Sequence, residues 1–295
     1  MIVFSEASPH LPPSASLRDI TAMTEAAQLV GARVFSIPED FETCGGAEAA
    51  LDWTPEQSTP MPAVWIGYIP SPERYAQLYA AASAKNITLL NTLDQHLNAQ
   101  EMDRSLPCLG ELTPATVFVT APEQAHAAAE HLGFPVFVKG AVQSRKSRGW
   151  QACVAESPEA LERLCTALFS LEARSRGRVA IRRLLRLRHA RTGPGAFPLG
   201  REFRFFVLHG ELLAGGYYWE GDDPLARLTP DEEQAVHALV REAAQRVGTP
   251  YLTVDIGQDE DSRWWVIETG DAQFSGLSQT PRLTLWNQLR VRLGA

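Results

Sequence analysis

Lysine is scarce in this chain of 295 residues: of 27 basic residues, only Lys85, Lys139 and Lys146 are lysines, and all the others are arginine. The four cysteines, Cys44, Cys108, Cys153 and Cys165, are scattered without a CxxC pair. That excludes a zinc or dithiol redox motif and predicts free, mostly buried thiols. The seven histidines show no metal-ligand spacing, and no Ser/His/Asp or Cys/His arrangement stands out. No stretch approaches the roughly 18 consecutive apolar residues of a membrane span. The opening MIVFSEASPHLPP lacks a basic region and a long apolar run. These absences predict a cytoplasmic protein without a membrane partner. The net charge of −8 argues against general nucleic-acid binding. Residues 174–191, RSRGRVAIRRLLRLRHAR, nevertheless carry eight arginines in eighteen positions. This run is expected to form a solvated face or, failing that, a patch for an anionic substrate.

What is present is organised in three stretches. Over the first hundred residues, strand patterns alternate with helical ones: MIVF, ARVFSI (32–37), AVWIGYI (63–69) and NITLLN (86–91). The helix over 71–85 has Ser71 as its N-cap and Pro72 in its first turn. Such alternation predicts a small parallel α/β domain. A linker, RSLPCLGELTPAT (104–116), follows. The segment 120–133 reads as a helix with a Thr120/Glu123 capping pattern and Gly133 past its end. PVFVKGA and WQACVAE (150–156) read as two antiparallel strands joined by a polar loop, and Ser157 caps the next helix. Further strands are RVAIRRLL and REFRFFVLHGELLAGGYYW, turning at His209-Gly210. The helix over 229–248 has a Thr229/Glu232 capping box and ends at Gly248. YLTVDIG and RWWVIETG form a hairpin across an acidic turn of Asp259, Glu260 and Asp261, expected to be solvated.

A lysine-bearing strand, a loop with a second lysine, an arginine strand, an E-x-R strand and a D…E hairpin, in that order after an α/β domain, resemble the ATP-grasp superfamily. More narrowly, they resemble its clade named for one arginine and two lysines. The resemblance covers the whole chain and implies an ATP-grasp fold with an N-terminal parallel α/β pre-domain. The expected division is 1–108 for the pre-domain, 109–185 for the small lobe with the phosphate loop, and 186–295 for the C-terminal lobe with the metal site. It also implies ATP and Mg²⁺ as cofactors, and ligation of a small-molecule or peptide carboxylate to an amine through an acyl phosphate. Two other readings stay open: an ATP-grasp phosphotransferase, and a non-enzymatic nucleotide-binding or RNA-associated module. The chain departs from the family at Ile66, where the clade often has arginine, and at Arg183, where many members have glutamate.

The residues carry chemistry of their own. A lysine in the apolar strand FPVFVKG is costly unless its ammonium finds a partner or solvent, and lysine suits phosphate as a compact point charge. Lys139 and Lys146 are therefore expected to converge on one triphosphate, with Ser144, Ser147 and loop amides cradling its oxygens. Asp255 and Glu268 lie nearly opposite each other in the hairpin, where like charges repel unless a cation intervenes. Mg²⁺ takes one or two carboxylates plus phosphates. Where many family members have an asparagine two residues beyond the glutamate, this chain has Gly270, so Asp271 is read as a shifted third ligand. Glu202 and Arg204 share one strand face and Phe203 and Phe205 the other. Arg204 is expected to neutralise the γ-phosphoryl group in the transition state, with Glu202 beside it in the nucleotide site. By resemblance, Arg182 faces the ligand, the backbone of Arg183, Leu184 and Leu185 reads the adenine edge, and Gln273, Ser275 and Gly276 touch the substrate. Tyr217, Tyr218 and Trp219 are expected to pack in the core.

Overall fold

The computed structural model describes residues 1–294. Strands β1 (Ile2–Ser5), β2 (Arg33–Ser36), β3 (Met61–Ile66) and β4 (Ile87–Leu89) form a parallel sheet in the order β2-β1-β3-β4. Helices α1 (Ala15–Leu29), α2 (Ala47–Ala50) and α3 (Pro72–Ala84) connect them. Ser71 caps α3 by accepting the Arg74 N–H, and Pro72 occupies the first turn. Helices α4 (Leu93–Gln100) and α5 (Met102–Leu109) lead out of this unit.

A second sheet holds β5 (Thr116–Val119), β6 (Val136–Gly140), β7 (Val154–Ala155) and β8 (Val179–Arg183), antiparallel in the order β5-β8-β6-β7. Helices α6 (Ala125–Leu132), α7 (Pro158–Phe169) and α8 (Glu172–Ser175) belong to this lobe. Two local expectations are corrected here. The Thr120 N–H is held by the Gln124 side chain, not by Glu123, and a 3₁₀ turn over Pro122–Gln124 delays α6. The expected strand 150–156 shortens to β7, because Trp150–Ala152 closes a 3₁₀ turn.

The hairpin β9 (His189–Thr192) and β10 (Pro198–Gly200) precedes a third, antiparallel sheet. It contains β11 (Glu202–Leu208), β12 (Glu211–Tyr217), β13 (Tyr251–Gln258) and β14 (Trp264–Asp271) in the order β12-β11-β13-β14. His209 and Gly210, both at positive φ, make the β11–β12 turn, as two-residue hairpins require. Between β12 and β13 lies α9 (Pro230–Val247), with the predicted capping box on Thr229 and Glu232 and Gly248 at its end. The chain finishes in α10 (Arg282–Arg292), which packs on α1.

One continuous apolar core joins the first sheet to the third: Val3, Met23 and Val64 pack with Phe206, Tyr251 and Trp286. Asn91, fully buried, spans the same junction by donating to the Tyr251 carbonyl (2.8 Å) and accepting from its N–H (2.9 Å). The second sheet has a core of its own, including Val136, Leu161 and Ile181. It is fastened to the rest of the molecule by polar ties and by a small apolar cluster that sets Phe137, Val154 and Leu184 against Phe197 and Trp219. Arg176 and Arg178 pair with Glu101, and Arg178 also with Asp103. Arg174 donates to the Ser144 carbonyl at 2.6 Å within the lobe, and Arg191 pairs with Asp223. The arginine run is therefore largely a set of structural ties, not the solvated face expected. All four cysteines are free; Cys153 and Cys165 are buried, while Cys44 and Cys108 are exposed.

Candidate active site

A cleft of about 280 Å³ opens between the second and third sheets. Its apolar end is walled by Phe137, Leu184, Leu185, Leu187, Phe197 and Ile267, and its other end by Lys139, Lys146, Glu202 and Glu268. Strand alternation builds the charged end. Lys139, near the end of β6, reaches across to Glu268 of β14 (2.5 Å). Lys146, on the loop after β6, approaches Glu202 of β11 (3.4 Å) and lies 5.4 Å from the Tyr218 ring centroid. Asp255 and Glu268 are paired directly across β13 and β14, as the hairpin arithmetic predicts. Arg204 grips Asp255 with two hydrogen bonds, Nε to Oδ1 at 2.8 Å and Nη2 to Oδ2 at 2.7 Å. Its Nη1 donates to the Gly276 carbonyl at 3.0 Å.

The electrostatics follow from this crowding. Burial favours the neutral form of Glu268, but Lys139 and Lys146 outweigh it and hold the carboxyl down at about 2. Burial raises Asp255 and Glu202, against the opposing pull of Arg204 and Lys146 respectively. For Lys146, burial acts downward, yet Glu202 and the neighbouring acids raise its pKa overall. Burial lowers Arg182 to about 10, against the attraction of Glu268 and Glu202.

The other predicted residues distribute unevenly. Arg182 is buried and lines the cleft, but its guanidinium is occupied by the Ile267 carbonyl (2.5 Å), the Val266 carbonyl (3.3 Å) and the Thr113 hydroxyl. Arg183, Leu184 and Leu185 line the apolar end. Ser144 and Ser147 sit on the lysine loop but do not line the cleft. Asp271 is corrected: it does not join Asp255 and Glu268. Three residues beyond Glu268, it points from the opposite strand face, where His96 Nδ1 lies 2.9 Å away and the Gln273 N–H donates to it at 3.0 Å. Gln273 is buried and held by the Trp65 N–H and the Tyr75 hydroxyl. With Ser275 and Gly276 it walls a second cavity rather than the cleft.

Three participants escape the sequence reading. Tyr218 faces the cations instead of the core, its ring centroid 4.8 Å from the Arg204 guanidinium. Glu260 of the acidic turn reaches the cleft. Asp19 of α1 lies on the second cavity. The glycine pair preceding the YYW run is the only signal for Tyr218. Helical phase alone does not tell Asp19 from a surface acid.

The comparisons agree on the fold. No curated protein sequence matches. The D-alanine–D-alanine ligase from Bacillus anthracis complexed with ATP superposes with a TM-score of 0.67 at 14% identity, covering 100% of this chain and 98% of that one. The RimK-domain ATP-grasp protein from Sphaerobacter thermophilus gives 0.61 at 14% identity, covering 100% and 99%. The ATP-grasp ligase PsnB complexed with minimal precursor, Mg and ADP gives 0.58 at 14% identity, covering 100% and 98%. The model for the ATP-grasp domain of the one-arginine, two-lysine clade, third family, matches residues 126–289, more than half the chain. With the cleft, its two lysines and the strand order already in place, that match makes this chain a member of the one-arginine, two-lysine clade of ATP-grasp proteins.

Proposed function

We propose that this protein is an ATP- and Mg²⁺-dependent carboxylate–amine ligase working through an acyl phosphate. The observation that carries this reading is the cleft itself: an apolar slot ends in two lysines paired with Glu202 and Glu268, and the Arg204–Asp255 pair stands directly across the hairpin from Glu268. An adenine fits the slot beside Arg183–Leu185, and the triphosphate then extends toward Lys139 and Lys146. Both named ligases above share this fold.

The donor set fits a hard divalent cation. Asp255 and Glu268 hold carboxylates at directly opposed positions, already paired with Arg204 and Lys139, and they would hold Mg²⁺ together with phosphate and water oxygens. Position 270, where the family often has an asparagine, is glycine with Thr253 and Ser275 hydroxyls close by. The bound metal would neutralise phosphate charge and hold the phosphates in line. The chain's own groups do the rest. Lys139 and Lys146 hold the phosphates, and Arg204 stabilises the charge that gathers as the substrate carboxylate attacks the γ-phosphorus and ADP leaves. An amine then attacks the acyl carbon, and phosphate departs.

The test is a trap. With ATP, Mg²⁺, a panel of carboxylic acids and hydroxylamine, the expected products are ADP and a hydroxamate. A stable phosphorylated product without hydroxamate favours a phosphotransferase, and absence of ADP release across the panel rejects both.

A further inference from the structure

The second cavity, of about 170 Å³, lies between the first sheet and the segment after β14. Helix α1 supplies Ser16, Asp19, Ile20 and Met23, the loop after β3 supplies Gly67 and Tyr68, and the opposite wall is Gln273–Gly276. Arg204 separates it from the nucleotide cleft, binding Asp255 on one side and the Gly276 carbonyl on the other.

Among the described residues lining this cavity, Asp19 is the single charged side chain. Arg204 does not line the cavity but acts on Asp19 from beside it, its guanidinium bound to Asp255 and the Gly276 carbonyl. The floor is apolar, made by Ile20, Met23 and Ile66. Gly276 leaves room for the acid, since a Cβ there would fall 2.5 Å from Asp19 Oδ2. The Leu277 N–H orients the carboxylate. We propose that this cavity binds a small aliphatic primary amine as its ammonium ion, with Asp19 as the group that holds it. Placing that amine as the acceptor rests on the ligase reading above; the binding does not.

Burial raises the Asp19 carboxyl, while the Leu277 N–H and Arg204 pull it back down. An acid in that position gains more from an incoming cation than a solvated one does, because the cation replaces lost hydration. A carboxylic acid entering instead would meet Asp19 as a like charge.

Ligand-observed saturation-transfer NMR on the full chain tests this without turnover. The probes are alaninamide, lactamide, which replaces the ammonium by a hydroxyl, and propionate. Alaninamide should bind saturably, with the other two at least about ten-fold weaker, as loss of a charge-assisted hydrogen bond implies. Asp19→Asn should weaken alaninamide by a similar factor and leave the melting temperature of the protein close to wild type. Gly276→Ala, whose methyl group would displace the carboxylate, should weaken alaninamide likewise. Equal binding of lactamide, preference for propionate, absence of saturable alaninamide binding, or unchanged affinity in Asp19→Asn overturns the proposal. The probe comparison on the wild-type chain stands even if a variant fails to fold. Alaninamide binding without any hydroxamate would sink the ligase reading and leave this site intact.

Discussion

Lys139 and Lys146 each hold a carboxylate already, so replacing either removes a proposed phosphate partner and also strands an acid in a buried setting. Lys139→Ala and Lys146→Ala should each weaken ATP by about ten- to a hundred-fold, the range of a charge-assisted hydrogen bond. Calorimetry with unchanged affinity in both variants would remove the lysines from the nucleotide site. Arg204→Lys keeps the charge but loses the bidentate grip on Asp255. Its turnover should fall by roughly a hundred- to a thousand-fold with ATP affinity little changed; equal losses in both would make Arg204 a binding group only. Glu268→Gln should remove most of the Mg²⁺ dependence of nucleotide binding, read as affinity with and without chelator. At this scale the sequence is legible where chemistry is costly. A lysine in an apolar strand and two acids opposite each other in a hairpin need an explanation wherever they occur. Asp271 misleads because counting residues past Glu268 ignores strand alternation, which turns position i+3 to the other face. Arg176 and Arg178 mislead because their partners, Glu101 and Asp103, lie some seventy residues upstream in sequence and only folding brings them close.

Elements declare themselves through their ends. Ser71, Thr92, Ser157 and Thr229 all cap helices by accepting an N–H of the first turn, whereas Thr120 misleads because Gln124 offers a competing amide oxygen. The start of α9 is tied to β11 through Arg201, which sits just before that strand, by a bidentate pair with Glu232 (2.5 and 2.9 Å). The Arg201 hydrogen bonds hold the Glu232 carboxyl down at about 2 despite partial burial. A carboxyl depressed in the folded state stabilises the protein above its unfolded pKa of about 4.3 and loses that contribution as pH falls toward the folded value. The melting temperature should therefore drop between about pH 4.5 and 2, and Glu232→Gln should flatten part of that slope. An unchanged acid profile in the variant would show that the pair contributes nothing to acid stability. The β9–β10 hairpin rests on the lysine loop at one glycine contact: a Cβ on Gly149 would meet Gly195 Cα at 2.8 Å, and Gly149 sits at φ +91°. Gly149→Ala should push the two loops apart and weaken ATP several-fold, measured by the same calorimetry.

Across the whole molecule, the first and third sheets share one core while the second keeps its own. Native-state hydrogen exchange should thus protect β1, β3, β11 and β13 together and release the β5–β8 sheet earlier; equal protection in all three sheets would contradict this. Asn91→Ala leaves a buried N–H and carbonyl of Tyr251 without partners, at about 1–3 kcal/mol each, and should lower the melting temperature of the shared body in one transition. This joint is the least legible part of the chain. Alternating strands announce a parallel sheet, but nothing local in Asn91 or Trp286 says that they bind regions so remote in sequence. The polar seam of the second lobe has a kinetic meaning. Lys139–Glu268 and Lys146–Glu202 run from that lobe to the third sheet, so they clasp the two walls of the cleft together at its charged end. If ATP takes the lysines from those carboxylates, the clasp must part first, and the observed association rate in stopped flow should level off as ATP concentration rises instead of climbing in proportion to it.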